Sequence, residues 1–150
     1  MGKVERVATN IPGFDKMIDG GFVKNSLNLV SGGPGTGKTI FAMQFLLEGV
    51  KVGQKGLFIS FEEEFDNLMG DAMVFGWDFR KLEKQEKCFF FTCKPMEEPN
   101  LQMKISEIIK GNKITRVVID SISVFAMMFK EDAYRIRKEF YKLADFLKKM

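Results

Sequence analysis

The sequence has no histidine, which excludes imidazole catalysis and histidine metal sites. It has only two cysteines, four prolines, two tyrosines and one tryptophan. Cys88 and Cys93 bracket "CFFFTC", which reads as a strand. Residues an odd number apart on a strand point to opposite faces, so a shared metal or a disulfide is not expected. Buried free thiols fit, and they fit a reducing compartment. No apolar run approaches the ~20 residues of a membrane span. The opening "MGKVERV" lacks the apolar core of a signal peptide, and Arg6 spoils a myristoylation pattern, so the cytoplasm is the expected location. Charge of one sign is also scarce: 23 basic against 20 acidic residues give +3. That balance is no argument for nucleic acid. The basic clusters at 80–87 and 135–149 are interrupted by acidic and apolar residues and read as helix surfaces, without the basic stripe and interleaved aromatics of a DNA-handling protein.

Phenylalanine and methionine are abundant, at 16 and 10 residues, and imply a soft apolar core. A chain of 150 residues is long enough to bury one, and one domain, 1–150, is expected. Val4 to Ala8 reads as a short edge strand. "NIPGFDKMIDGG" follows as a Pro-Gly turn, about one helical turn and a Gly20-Gly21 stop. "LNLVS" (27–31) reads as a strand, and "TIFAMQFLLEGV" as a helix apolar nearly all round and therefore buried. "GLFISF" (56–61) is the next strand. The helix after it places Phe65, Leu68, Met69, Ala72 and Met73 on one face, with Gly76 as its stop. After "CFFFTC", Asn100 is placed to cap a helix carrying Leu101, Ile105, Ile108 and Ile109 and closed by Gly111. "RVVIDS" (116–121) is a further strand. The last helix starts near Asp132 and presents Ile136, Phe140, Leu143, Ala144 and Leu147. Strands alternating with helices predict an α/β fold, a parallel sheet covered on both faces.

Residues 32–39 read G-G-P-G-T-G-K-T and match G-x-x-x-x-G-K-[ST] in full. Phosphate oxygens need several donors converging on a small volume. A loop of Gly33, Pro34, Gly35, Thr36 and Gly37 offers backbone N–H groups for this, and the following helix points its positive end at the same place. Lys38 is placed to reach the β- and γ-phosphates of a nucleotide, and Thr39 to offer its hydroxyl to Mg²⁺. Asp120, at the end of the apolar "VVID", occupies the position of a carboxylate supporting that metal. "SFEEE" sets Glu62, Glu63 and Glu64 after the second strand of the sheet, on the side where ligands of parallel sheets lie. A carboxylate there can accept a proton from water, and like-charged neighbours raise the pKa of one of them. The same acidic run equally suits a solvated helix start.

Together these segments resemble the RecA-like ATPases, and most closely their KaiC-type branch. The resemblance runs over nearly the whole chain. It is carried by "IPGFDKMIDGGF", by "SGGPGTGKT" as Walker A, by "SFEEE" and "FGWDF" (75–79), by "VVIDSIS" as Walker B, and by "RKEFYKLADFLKK". It implies ATP and Mg²⁺ as ligands, Lys38, Thr39 and Asp120 as their holders, and Glu62 with Glu63 as the catalytic pair, Glu62 being the base. It also implies hexameric rings, with basic residues of a neighbour completing each site and turnover working a conformational or signalling switch. Family domains continue past the last helix here and add a strand between the P-loop strand and the Walker-B strand. A C-terminally truncated domain is therefore expected, weak in hydrolysis by itself. A nucleotide-binding interaction module without turnover is the alternative.

Overall fold

The computed structural model describes residues 4–94, 100–127 and 132–149. The elements begin with β1 (Arg6–Val7), α1 (Phe14–Met17), β2 (Phe22–Val23) and α2 (Lys38–Lys51). There follow β3 (Gly56–Ser60), α3 (Phe65–Val74), α4 (Phe79–Lys84) and β4 (Cys88–Thr92), then α5 (Leu101–Asn112), β5 (Arg116–Asp120), α6 (Ile122–Met127) and α7 (Ala133–Lys148). β3 is the centre of a three-stranded parallel sheet of order β4-β3-β5, and all five of its residues are buried. A strand with partners on both edges and helices on both faces must be apolar along its length, as Gly56 to Ile59 are, and the one polar residue, Ser60, comes at its end.

Alternation along β3 divides the core in two. Leu57, Ile59 and Phe61 pack with Leu101, Ile105 and Ile109 of α5 and with Leu143 of α7. Phe58 faces the other way, onto Met43 and Leu46 of α2, Leu68, Met69 and Ala72 of α3, and Phe79. Cys88 belongs to this second face and Cys93 packs against the first, so the two free thiols do point apart. Burial pushes the Cys88 thiol up to about 12, helped by the Glu83 carboxylate. Among the described residues no helix is long and apolar enough to cross a membrane.

Several elements depart from the sequence expectation. Residues 27–31 form no strand. A strand is held by its ladder, and among the described residues none lies beside this segment: β5 pairs only with β3. Leu27, Leu29 and Val30 are consequently exposed, Leu29 at 74%. Gly111 does not close α5, which runs to Asn112 and ends at Lys113 in the left-handed conformation. The Ile114 N–H returns to the Ile109 carbonyl at 3.1 Å and its side chain enters the core, so an apolar anchor sets the stop. Asn100 precedes α5 without a side-chain capping bond. Met73, one position past buried Ala72, lies at the edge of the apolar stripe and is 54% exposed. α2 buries only Met43, Leu46 and Gly49 completely, and α7 only Leu143; Ile136, Phe140, Ala144 and Leu147 are half-buried. α6 is an additional, short helix, while α4 is the helix whose surface carries the basic cluster at 80–87.

The N-terminal segment is tied down by two polar knots. Asp15 accepts from the Thr9 hydroxyl at 2.6 Å, the Thr9 N–H at 3.0 Å and the Asn10 N–H at 2.9 Å. Burial alone raises its pKa, but these bonds and the Arg116 charge outweigh it and hold the carboxyl below the ordinary Asp value. A depressed folded pKa contributes stability that is present above the unfolded Asp value of about 3.9 and is lost as pH falls through the folded value. Asp15→Asn is therefore expected to lower stability near neutral pH and to flatten its decline in acid. Urea unfolding across pH 2–7 measures both, and parallel pH profiles for parent and variant contradict the assignment.

Arg116, only 3% exposed, is the second knot. Its guanidinium donates to the Ala8 and Phe45 carbonyls, both at 2.7 Å, and to Gln54 Oε1 at 2.6 Å, and it lies 4.5 Å from the Phe45 ring centroid. One side chain thereby joins the N-terminal segment, α2, the loop before β3 and β5. A Cβ at Gly49 would sit 2.5 Å from Arg116 Cδ, which accounts for glycine inside this helix.

Candidate functional site

The phosphate-binding candidate loop leads directly into α2. Gly37 is the N-cap at φ 86°, a left-handed conformation open to glycine and strained for other residues. Lys38 and Thr39 are the first two helical residues. The Gly33 carbonyl accepts from both the Thr36 hydroxyl at 2.8 Å and Lys38 Nζ at 2.9 Å, so the loop closes on its own lysine. Gly33, Pro34, Gly35, Thr36 and Gly37 are all exposed, which leaves the loop accessible.

The parallel register aligns the carboxyl ends of the strands: Ser60 lies opposite both Thr92 and Asp120. From there the Thr39 hydroxyl donates to Asp120 Oδ2 at 2.6 Å, joining α2 to β5 across 81 positions of sequence. The next residue, Ser121, donates its hydroxyl to Glu62 Oε2 at 3.1 Å. The loop, the strand-end aspartate and the acidic run, separate in sequence, thus form one continuous polar cluster. Glu62 is exposed, while Glu63 is half-buried. Burial, then the carboxylates of Asp71, Asp120 and Glu62, raise the Glu63 pKa above the ordinary value. Glu64 is the N-cap of α3, its carbonyl accepting from the Asn67 and Leu68 N–H groups. The acidic run therefore both starts a helix and lines the cluster, with different residues in each role.

Ser60 and Ser121 are part of this cluster although the sequence reading named neither. The available signal was the placement of a hydroxyl immediately before "FEEE" and immediately after Asp120. Among the described residues no group of three or more Cys, Asp or Glu side chains forms a metal cage. A Thr hydroxyl and one carboxylate suit Mg²⁺, which binds through one or two carboxylates together with substrate phosphates.

A family model described as "ATPase: KaiC" matches residues 7–150. The chain belongs to the KaiC ATPase family. The circadian clock oscillator protein KaiC of Thermostichus vulcanus is 34% identical over 159 aligned positions, covering 99% of this chain and 30% of its own length. A UPF0273 protein of Methanopyrus kandleri is 44% identical over 82 positions, covering 55% of this chain and 32% of its own. The chain thus spans about a third of the length of these relatives. The crystal structure of a KaiC-like protein from the hyperthermophilic archaeon Pyrococcus horikoshii OT3 superposes with a TM-score of 0.86 at 38% identity, over 98% of this chain and 67% of that one. The fold is accordingly the RecA-like core of KaiC-type proteins, and membership supports a nucleotide-binding ATPase module.

Two of the segments that carry the KaiC resemblance serve the scaffold. In "IPGFD", Asp15 ties down Thr9 and Asn10. In "FGWDF", the Gly76 and Trp77 N–H groups close α3, the Phe75 and Trp77 rings stack at 5.0 Å, Asp78 caps α4 through the Lys81 N–H, and Phe79 enters the core.

Proposed function

We propose that residues 32–39, Asp120 and the Glu62–Glu63 pair bind Mg-ATP and hydrolyse it to ADP and phosphate. The observation that carries this reading is the Thr39–Asp120 hydrogen bond, which unites a phosphate-loop helix with a strand-end carboxylate beside two glutamates. The N–H groups of Gly33, Gly35, Thr36, Gly37, Lys38 and Thr39 and the Lys38 ammonium bind and orient the phosphates. Mg²⁺, when bound, neutralises charge on the β- and γ-phosphate oxygens; Thr39 Oγ1 and the Asp120 carboxylate are the protein oxygens that would hold it. Glu62 accepts the proton of the attacking water as its oxygen bonds to the γ-phosphorus and the bond to the bridging oxygen breaks. Glu63, with its raised pKa, keeps a second carboxyl beside that proton.

Lys38→Ala is expected to weaken Mg-ATP binding tenfold or more, about 1.4 kcal/mol upward. Calorimetry reads it, and unchanged affinity contradicts the role of the loop. Single-turnover hydrolysis with the chain in excess over ATP separates the ATPase from an interaction module, which binds nucleotide without cleaving it.

We also propose that the module works in a homo-oligomer whose neighbouring subunits supply cationic groups, turnover serving as a switch. Such groups contribute ~10³–10⁵ in phosphoryl transfer, so slow turnover is expected of this chain by itself. The exposed Leu27, Leu29 and Val30, and a β5 that pairs only with β3 among the described residues, are consistent with assembly. Light scattering with and without Mg-ATP tests it, and a monodisperse monomer under both conditions contradicts it.

A further inference from the structure

Ser60 is 2% exposed, and its hydroxyl is used twice on the same residue. It donates to the Glu63 carbonyl at 2.7 Å and accepts from the Glu63 N–H at 2.9 Å. The backbone on either side is fixed by the neighbouring strands: the Ser60 carbonyl accepts from the Cys93 N–H at 3.0 Å, and the Phe61 N–H donates to the Asp120 carbonyl at 2.8 Å. Glu62 therefore sits inside a turn pinned at both ends, with its carboxylate held from outside by Ser121.

We propose that Ser60 is a positioning residue for hydrolysis, its buried hydroxyl closing the 60–63 turn and so fixing Glu62 and Glu63 relative to the phosphate loop. This rests on the assignment of the two glutamates to hydrolysis. The chemistry selects a side chain with one short hydroxyl, able to donate and accept at once. Alanine can do neither, while threonine retains both. Ser60 does not touch the phosphate loop through any of these bonds, so the clamp acts on the glutamates and not on nucleotide affinity.

Ser60→Ala removes only one oxygen and is expected to fold. It should accelerate hydrogen exchange at the Glu63 amide, slow single-turnover ATP hydrolysis about ten- to hundredfold, the scale of a displaced catalytic group, and leave the Mg-ATP Kd within about twofold. Ser60→Thr should restore both exchange protection and rate. An unchanged rate in Ser60→Ala, or a rise in Kd matching the loss of rate, overturns the proposal. Glu62→Gln and Glu63→Gln measured alongside separate the two levels. If both hydrolyse normally, the catalytic assignment falls and the positioning role with it. If either is slow while Ser60→Ala is fast, the positioning role alone falls.

Discussion

Glu62→Gln is expected to bind Mg-ATP with nearly unchanged affinity and to slow single-turnover hydrolysis by ~10²–10⁴, the usual scale of a lost general base. Gln keeps the size of the side chain and an oxygen able to accept from the Ser121 hydroxyl, which now meets Glu62 Oε2 at 3.1 Å. What it loses is the capacity to take a proton. Exposure favours Glu62 as the group reached by water; Glu63 is half-buried, and burial with the Asp71, Asp120 and Glu62 carboxylates raises its pKa. A normal rate in Glu62→Gln together with a collapse in Glu63→Gln would exchange the two roles. Normal rates in both would remove the carboxylate pair from the mechanism.

Arg116→Leu is expected to destabilise the fold by about 2–4 kcal/mol, because leucine fills part of the volume but leaves the partly buried acceptors, the Ala8 carbonyl and Gln54, without their charged donor, each towards the lower end of the about 1–3 kcal/mol of an unpaired polar group. Lys at this position keeps the charge but lacks the planar fork that reaches Ala8, Phe45 and Gln54 together. It should recover only part of the loss. Burial lowers the Arg116 pKa, opposed by Asp15 and Glu48, and the guanidinium stays charged throughout the ordinary pH range. The midpoint of urea unfolding measures the effect. A Leu variant within about 0.5 kcal/mol of the parent would mean that the guanidinium bonds contribute nothing net to stability.

The parts of the fold that could be read from the sequence are those whose signal is local. "GLFIS", "CFFFT" and "RVVID" are short apolar runs bounded by turns, and all three are strands of the sheet. The odd spacing of Cys88 and Cys93 predicted opposite faces, and they lie in opposite cores. "LNLVS" carries the same kind of signal but forms no strand, because pairing is a property of neighbours that a five-residue window does not contain. α4 was legible as a charged helix surface at 80–87, but its start was not, because that depends on one side-chain bond, from the Lys81 N–H to Asp78. The Arg116 knot was equally hidden, since a lone arginine at the head of a strand reads as solvated until Ala8, Phe45 and Gln54 are brought around it. At the site, the loop, Asp120 and the glutamates stood out as motif residues. The two serines beside them did not, because a hydroxyl gains a role only through the distance to its partner.

The most direct test is equilibrium binding of ATP to the chain by calorimetry, with Mg²⁺ and then with the metal chelated, for the parent and for Lys38→Ala. The account predicts one nucleotide per chain, tighter binding with Mg²⁺ because Thr39 and Asp120 share the metal with the phosphates, and a tenfold or greater loss in Lys38→Ala. No binding by the parent, or binding indifferent to both Mg²⁺ and Lys38, would contradict it.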